Sequence, residues 1–126
     1  MNFLLTGGAG YIGSHAALSL LDAGHNVHII DDLSTGNKSL IPKNAFFTKC
    51  NINDEEVISE LIKSNSFDLL MHFAGFIQVE ESVKYPQKYF DNNTENATKL
   101  FETCKNNGLN KIVFSSTAAA YGSVSE

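Results

Sequence analysis

The chain has 126 residues, of which 43% are hydrophobic and 18% charged. This composition is typical of one globular domain and excludes intrinsic disorder. The 9 basic and 14 acidic residues give a net charge of −5, which excludes nucleic acid and anionic membrane as partners because both require a basic surface. We therefore expect any bound phosphate to be held by backbone amides or a helix end.

The cysteines and the N-terminal segment predict a cytoplasmic protein. Cys50 and Cys104 form neither a CxxC motif nor a disulfide framework, so both are expected to be buried, reduced thiols. No segment approaches the roughly 18 apolar residues of a membrane span. Residues 1–6 lack the basic region of a signal peptide. The acidic run 54–56 is interpreted as the first turn of a helix, and no metal site is predicted.

Apolar runs rich in β-forming residues alternate along the chain with segments of helical period. This alternation predicts a parallel sheet covered by helices on both faces. The predicted strands lie at 3–5, 27–30, 45–50, 68–73 and 111–115. The predicted helices run from about Ile12 to Leu21, after an N-cap at Asn53, and from Pro86 to Asn107, with a loop and at most one helical turn at 33–44. Right-handed crossovers favour the strand order 3-2-1-4-5.

A glycine motif stands between the first predicted strand and the first helix. Gly8, Gly10 and Gly13 follow the G-x-G-x-x-G spacing, which permits a tight turn and close approach of the backbone to a pyrophosphate. The unpaired amides at the helix start would face that anion. The alternative is that these glycines only form a turn. In this position the motif predicts a Rossmann-type dinucleotide-binding sheet.

Asp31 ends the second predicted strand, 18 positions after Gly13, which is close to the spacing of about 20 residues typical of such a carboxylate. A carboxylate there accepts hydrogen bonds from the adenosine ribose hydroxyls and repels a 2′-phosphate. No Arg or Lys stands next to Asp31, so NAD is predicted rather than NADP.

The ligand of such a sheet lies in the crevice beyond the carboxyl ends of the strands. Ala74 and Gly75 are small enough for a ligand to pack against their backbone, although a plain turn ending the strand would also explain them. The residues predicted to line the crevice are Gly7 to Ile12, Asp31, Asp32, Asn51, Ile52, Phe73, Ala74, Gly75, Ser115, Ser116 and Thr117.

Over residues 1 to about 122 the chain resembles the N-terminal part of the extended short-chain dehydrogenase/reductases, in particular those that epimerise nucleotide sugars. The resemblance rests on five segments: 6–15 (TGGAGYIGSH), 72–75 (HFAG), 81–83 (ESV), 89–93 (YFDNN) and 114–122 (FSSTAAAYG). It implies an NAD-dependent isomerase that interconverts UDP-glucose and UDP-galactose by transient oxidation at sugar C4. Two alternatives remain: another nucleotide-sugar enzyme (a dehydratase or a uronate epimerase), or a non-enzymic NAD-binding module.

The resemblance also implies residue roles. Tyr11 and Ile12 would contact the pyrophosphate, Asp31 the ribose and Asn51 the adenine, while Asn92 would hydrogen-bond the cofactor. Ser115 and Ser116 would lie near the nicotinamide, and the Thr117 hydroxyl would be catalytic. Asn92 could instead be a surface helix residue and Thr117 a cap or turn hydroxyl; the histidines at 15 and 72 are interpreted as structural. The helix 86–107 would pair with a second copy in a homodimer.

The sequence departs from the family pattern at three places. Asn51 replaces an Asp, and Ile77 replaces a Lys found in several members. The Tyr-x-x-x-Lys pair is missing, since Tyr121 is followed four positions later by Ser125. We therefore expect residues 1–126 to be one NAD-binding domain, truncated before the Tyr/Lys pair and the substrate domain, and inactive in isolation.

Overall fold

A computed structural model of the chain describes residues 1–122; Ser125, used above to interpret Tyr121, lies outside that range. The five strands are β1 (Asn2–Thr6), β2 (Asn26–Asp31), β3 (Phe46–Lys49), β4 (Leu69–His72) and β5 (Ile112–Phe114). They form one sheet in the order β3-β2-β1-β4-β5, and every neighbouring pair is parallel. The predicted fold class and strand order are confirmed.

The helices connect these strands. They are α1 (Tyr11–Asp22), α2 (Glu55–Ser64), α3 (Val79–Lys84), α4 (Pro86–Phe90) and α5 (Ala97–Asn106). A π-helical segment, Asp91–Asn96, joins α4 to α5, and 3₁₀ turns lie at Lys38–Leu40 and Ala118–Tyr121. Among residues 1–122, no helix has the length and apolar character needed to cross a bilayer.

Three local predictions need correction. The N-cap of α2 is Asp54, not Asn53, because the Asp54 carboxylate accepts a hydrogen bond from Val57 N–H. The helix predicted from Pro86 to Asn107 contains the π-helical segment and ends at Asn106, before Gly108 with φ +86°. The short helix α3 was not predicted, since its six residues carry too few apolar positions to show a helical period.

The core has two layers, one on each face of the sheet. Successive side chains of a strand point to opposite faces, so Leu4 packs in the layer under α2 and α5 while Leu5 packs in the layer under α1. Both are fully buried, as expected for a central parallel strand. Cys50 and Cys104 are buried free thiols, as predicted.

Candidate functional site

A cleft lies at the carboxyl ends of the strands, and its empty space, open to solvent, measures about 580 Å³. Nine of the residues predicted for the crevice line it: Gly7, Gly10, Asp31, Asp32, Asn51, Ile52, Phe73, Ala74 and Gly75. Asn92, for which the resemblance implies a hydrogen bond to the cofactor, lines it too. The cleft is thus formed by segments that are distant in sequence and adjacent only because the strands are parallel.

The glycine turn forms the floor of the cleft and is packed tightly against β4. Gly7 has φ +71°, and its N–H donates to the Ile30 carbonyl over 3.1 Å. A Cβ at Gly7 would lie 2.6 Å from the Ala74 nitrogen, and one at Gly13 would overlap the Gly7 carbonyl. The absence of side chains therefore lets β1, α1 and β4 meet at one point.

The start of α1 offers backbone N–H groups beside this turn. The first α-helical bond runs from Ser14 N–H to the Gly10 carbonyl over 3.0 Å, which leaves the N–H groups of Tyr11, Ile12 and Gly13 ahead of it. The first turn carries no acidic side chain, so no carboxylate of its own neutralises the positive end of the helix dipole. The side chains of Tyr11 and Ile12 are exposed and do not line the cleft, so only their backbone can contribute there.

Asp31 links the glycine turn to the end of β2. Its two carboxylate oxygens accept hydrogen bonds from Ala9 N–H at 3.0 Å and Leu33 N–H at 2.9 Å. A carboxylate has about four lone-pair positions, so these bonds fix the orientation of the group and leave acceptor capacity for a ligand. Asp31 is 9% exposed and lines the cleft, where this capacity is available to a ligand.

The loop 34–36 forms one wall of the cleft, and sequence reasoning did not predict it. Ser34 N–H donates to Asp32 Oδ1 at 2.9 Å, and Asn37 N–H donates to the Ala9 carbonyl at 2.9 Å. These bonds hold Ser34, Thr35 and Gly36 over the glycine turn. The Asp31-Asp32 pair before Ser34 is a turn signal that could have indicated this loop.

Thr6 and His72 are buried and support the opposite wall of the cleft, which is formed by the segment 73–75 after β4. The Thr6 hydroxyl lies 2.6 Å from His72 Nδ1 and accepts a hydrogen bond from Ala74 N–H at 3.3 Å. Burial lowers the pKa of His72 to about 4, so its ring is neutral at pH 7. This supports the predicted structural role of His72.

Asn93 connects the same wall to the π-helical segment and was not singled out from the sequence. Its side chain accepts from Phe76 N–H at 2.9 Å and donates to the Phe76 carbonyl at 2.8 Å. Asn92 in turn donates to Asn93 Oδ1 at 2.8 Å and faces the cleft. Both amides belong to the π-helical segment, which places them beside the loop after β4. Single π-helical turns often occur at functional sites.

Asn51 and Asp32 meet at the far end of the cleft, beyond Asp31. Asn51 Nδ2 donates to Asp32 Oδ2 at 3.1 Å, and Asn51 Oδ1 accepts from Asn53 N–H at 3.2 Å. Cys50 lies beside them, and burial, with Asp54 and Asp32 as smaller causes, raises the pKa of its thiol to about 11. This thiol is therefore protonated at neutral pH and a poor nucleophile.

The predicted residues after β5 do not line the cleft. Ser115 N–H donates to the His72 carbonyl at 3.1 Å, and the Thr117 carbonyl accepts from Ala120 N–H at 3.1 Å. Ser115, Ser116 and Thr117 are exposed at the carboxyl edge of the sheet, and their roles near a nicotinamide stay predictions. In the part of the chain described, no three His, Cys, Asp or Glu side chains lie together as metal ligands.

The parallel sheet, the glycine turn and the carboxylate after β2 define a Rossmann-type nucleotide-binding domain. Residues 3–126 match the NAD dependent epimerase/dehydratase family, and the chain belongs to that family.

Two curated relatives and one solved structure show the extent of the likeness. The chain is 44% identical to a UDP-glucose 4-epimerase of Corynebacterium glutamicum over 97% of its own length and 36% of that protein. It is 40% identical to UDP-arabinose 4-epimerase 1 of Arabidopsis thaliana, over 94% of this chain and 30% of that one. The crystal structure of UDP-glucose 4-epimerase from Stenotrophomonas maltophila with bound NAD and formylated UDP-arabinopyranose superimposes with a TM-score of 0.92 at 36% identity, covering 100% of this chain and 40% of that one. The chain thus spans about a third of the length of these relatives.

Proposed function

We propose that this chain is the NAD-binding part of a UDP-glucose 4-epimerase. One observation carries the proposal: the buried Asp31 carboxylate is held by Ala9 of the glycine turn at 3.0 Å and borders the same cleft as Gly7 and Gly10. A diphosphate at the glycine turn would therefore place its adjoining ribose diol on Asp31. The likeness to epimerase structures with bound NAD supports the same assignment.

The site fits NAD better than NADP. The diphosphate would be bound by the N–H groups at the start of α1, whose first turn carries no acidic side chain. Asp31 and Asp32 both line the cleft, and no Lys or Arg is among the described lining residues. A 2′-phosphate beside these carboxylates would be repelled without a compensating cation.

The chemistry we propose for the whole protein is epimerisation of UDP-glucose and UDP-galactose. NAD supplies the hydride acceptor at sugar C4. Thr117 would hydrogen-bond the sugar oxygen, and Asn92 would position the cofactor from the π-helical segment. The sequence contains no Tyr-x-x-x-Lys pair, so residues 1–126 alone are expected to turn over no UDP-galactose. Detectable turnover would contradict this part of the proposal.

Two further parts of the proposal concern the cellular location and the oligomeric state of the protein. A cytoplasmic location is supported by Cys50 and Cys104, which remain unpaired. We also propose a homodimer through residues 86–107, the helical run on which Phe90 is 52% exposed. Sedimentation of the chain over a wide concentration range tests the dimer, and a monomer throughout would contradict it.

Calorimetric titration with NAD⁺ tests the cofactor assignment. The wild-type chain is expected to bind NAD⁺, and Asp31→Ala to bind it at least about tenfold more weakly, since hydrogen bonds to a charged group contribute about 1.5–3 kcal/mol each. Asp22→Ala, at the exposed end of α1, is the matched control and should bind as the wild type does. Failure of folded wild-type chain to bind, or an unchanged affinity in Asp31→Ala, would refute the proposal.

A further inference from the structure

The segment 76–78 leads from the cleft into α3, and three of its backbone groups are bound by side chains of the helical run that follows. Asn93 accepts from Phe76 N–H at 2.9 Å and donates to the Phe76 carbonyl at 2.8 Å. The Tyr89 hydroxyl accepts from Gln78 N–H at 3.2 Å. Because the segment has no regular secondary structure, these side chains satisfy backbone groups that a strand or helix would otherwise pair. Phe76 lines the cleft, so the position of this segment fixes part of the wall.

Glu81 orients the Tyr89 hydroxyl. One carboxylate oxygen of Glu81 accepts from the Tyr89 O–H at 2.8 Å, and the other accepts from Lys88 Nζ at 2.7 Å. Because Glu81 takes the hydroxyl hydrogen, a lone pair of the same oxygen is left for Gln78 N–H, which can only donate. Glu81 belongs to α3, whereas Lys88 and Tyr89 belong to α4. The carboxylate therefore also joins these two short helices.

The Phe76 ring is held by the same cluster of side chains. Its centroid lies 5.5 Å from the centroid of the Tyr89 ring, and Lys88 Nζ lies 4.6 Å from it. Aromatic pairs and ammonium groups at these distances from a ring are attractive contacts. Both the backbone and the ring of Phe76 are thus held by side chains of residues 88–93. All of these contacts are made within the chain, so they order this part of the wall independently of a ligand.

We propose that Tyr89, oriented by Glu81, is a positioning residue that holds the Phe76 wall of the cleft in the geometry that binds the dinucleotide. A segment without regular structure loses conformational entropy when it is fixed, and a segment already fixed in the free protein adds no such cost to binding. Without the bonds of Tyr89 the segment would become ordered only on binding, and affinity would fall. This inference rests on the proposed function, because it takes the ligand to be a nicotinamide dinucleotide. It adds two residues that do not themselves line the cleft.

Calorimetric titration with NAD⁺ compares variants of this pair with the wild-type chain. Tyr89→Phe keeps the ring and removes both hydrogen bonds, so its dissociation constant should rise about threefold to tenfold, the weight of one or two hydrogen bonds. Glu81→Ala should weaken binding in the same range, because the hydroxyl can then turn its hydrogen toward Gln78 N–H. Glu81→Gln keeps an oxygen that accepts from the hydroxyl and should bind within about twofold of the wild type. Glu80→Ala is the matched control, since it removes the neighbouring exposed carboxylate of α3 and should bind as the wild type does.

Two further measurements separate positioning from a general loss of structure. If Glu81 acts through the Tyr89 hydroxyl, the double variant Tyr89→Phe/Glu81→Ala should bind NAD⁺ no more weakly than Tyr89→Phe does. NMR titration of the Glu81 carboxyl group checks the bond itself. Hydrogen bonds from Lys88 and Tyr89 lower the pKa of Glu81, so Tyr89→Phe should raise that pKa toward its ordinary value. Thermal unfolding verifies that each variant is folded before titration.

The outcomes distinguish this inference from the proposed function. If the wild type binds NAD⁺ and Tyr89→Phe binds it less than about threefold more weakly, Tyr89 does not position the wall, while the NAD site stands. Equal weakening in Glu81→Gln and Glu81→Ala, or additive losses in the double variant, would show that Glu81 does not act by orienting the hydroxyl. An unchanged pKa of Glu81 in Tyr89→Phe would overturn the inference by the same reasoning. If the folded wild-type chain binds no NAD⁺, both the function and the inference fall.

Discussion

Replacing Gly7 by Ala is expected to destabilise the chain by about 2–5 kcal/mol. Two independent effects add. Gly7 has φ +71°, where a residue with a Cβ is strained by roughly 1–2 kcal/mol. The new Cβ would also lie 2.6 Å from Ala74 N and 2.8 Å from Ala74 Cα, both backbone atoms of the segment after β4. Relieving such overpacking costs about 1–3 kcal/mol, because β1 or β4 must move.

Gly24→Ala provides a control for the first effect alone. Gly24 has φ +81°, and a Cβ there would meet nothing within 4 Å, so its cost should stay at about 1–2 kcal/mol. Both substitutions restrict the unfolded chain equally, and this contribution cancels in the comparison. The difference between the two variants therefore measures the contact between the glycine turn and β4.

Urea unfolding followed by circular dichroism supplies the free energies of unfolding of wild type, Gly7→Ala and Gly24→Ala. Since a domain of this size is stable by roughly 5–15 kcal/mol, the Gly7 variant should retain a measurable unfolding transition. A variant already unfolded without urea would correspond to the upper end of the predicted loss. If Gly7→Ala and Gly24→Ala lose the same stability within about 0.5 kcal/mol, the close packing of the turn on β4 has no energetic weight and the reasoning is wrong.

Two smaller effects follow from the helix cap and from the buried histidine. Asp54→Ala should lower the free energy of unfolding by about 1 kcal/mol through loss of the bond to Val57 N–H. Asn53→Ala should change it by less than half as much, and the reverse order would restore Asn53 as the cap. The pKa of His72 is about 4 when folded against 6.5 as its ordinary value, so the unfolded state binds the proton more readily and stability falls as pH drops from about 6.5 to 4. Between pH 7 and 4.5 the free energy of unfolding should fall by an amount on the order of 2–3 kcal/mol. Urea unfolding at both pH values should show a smaller fall in His72→Phe. An equal fall in that variant would mean that another group causes the pH dependence.

The sequence determined the order of the elements because periodicity and turn chemistry are local. The apolar runs around Leu4, Ile29 and Leu70 predicted β1, β2 and β4, and right-handed crossovers gave their order without any coordinates. The glycine motif and Asp31 were recognisable for the same reason, since each role depends on a residue type at a fixed distance from a strand end.

The tertiary structure alone decided which side chains hold one another. Asp31 bonding to Ala9, Asn51 to Asp32, and Asn93 to Phe76 join segments from different parts of the chain, and hydrogen-bond geometry is set by distances that no local pattern encodes. The choice of Asp54 over Asn53 as the cap moves the start of a helix by one residue, a precision that local patterns do not reach. The π-helical turn at Asp91–Asn96 interrupts an otherwise helical segment, and the hydrogen bonds that its Asn93 makes to Phe76 form only in the folded chain.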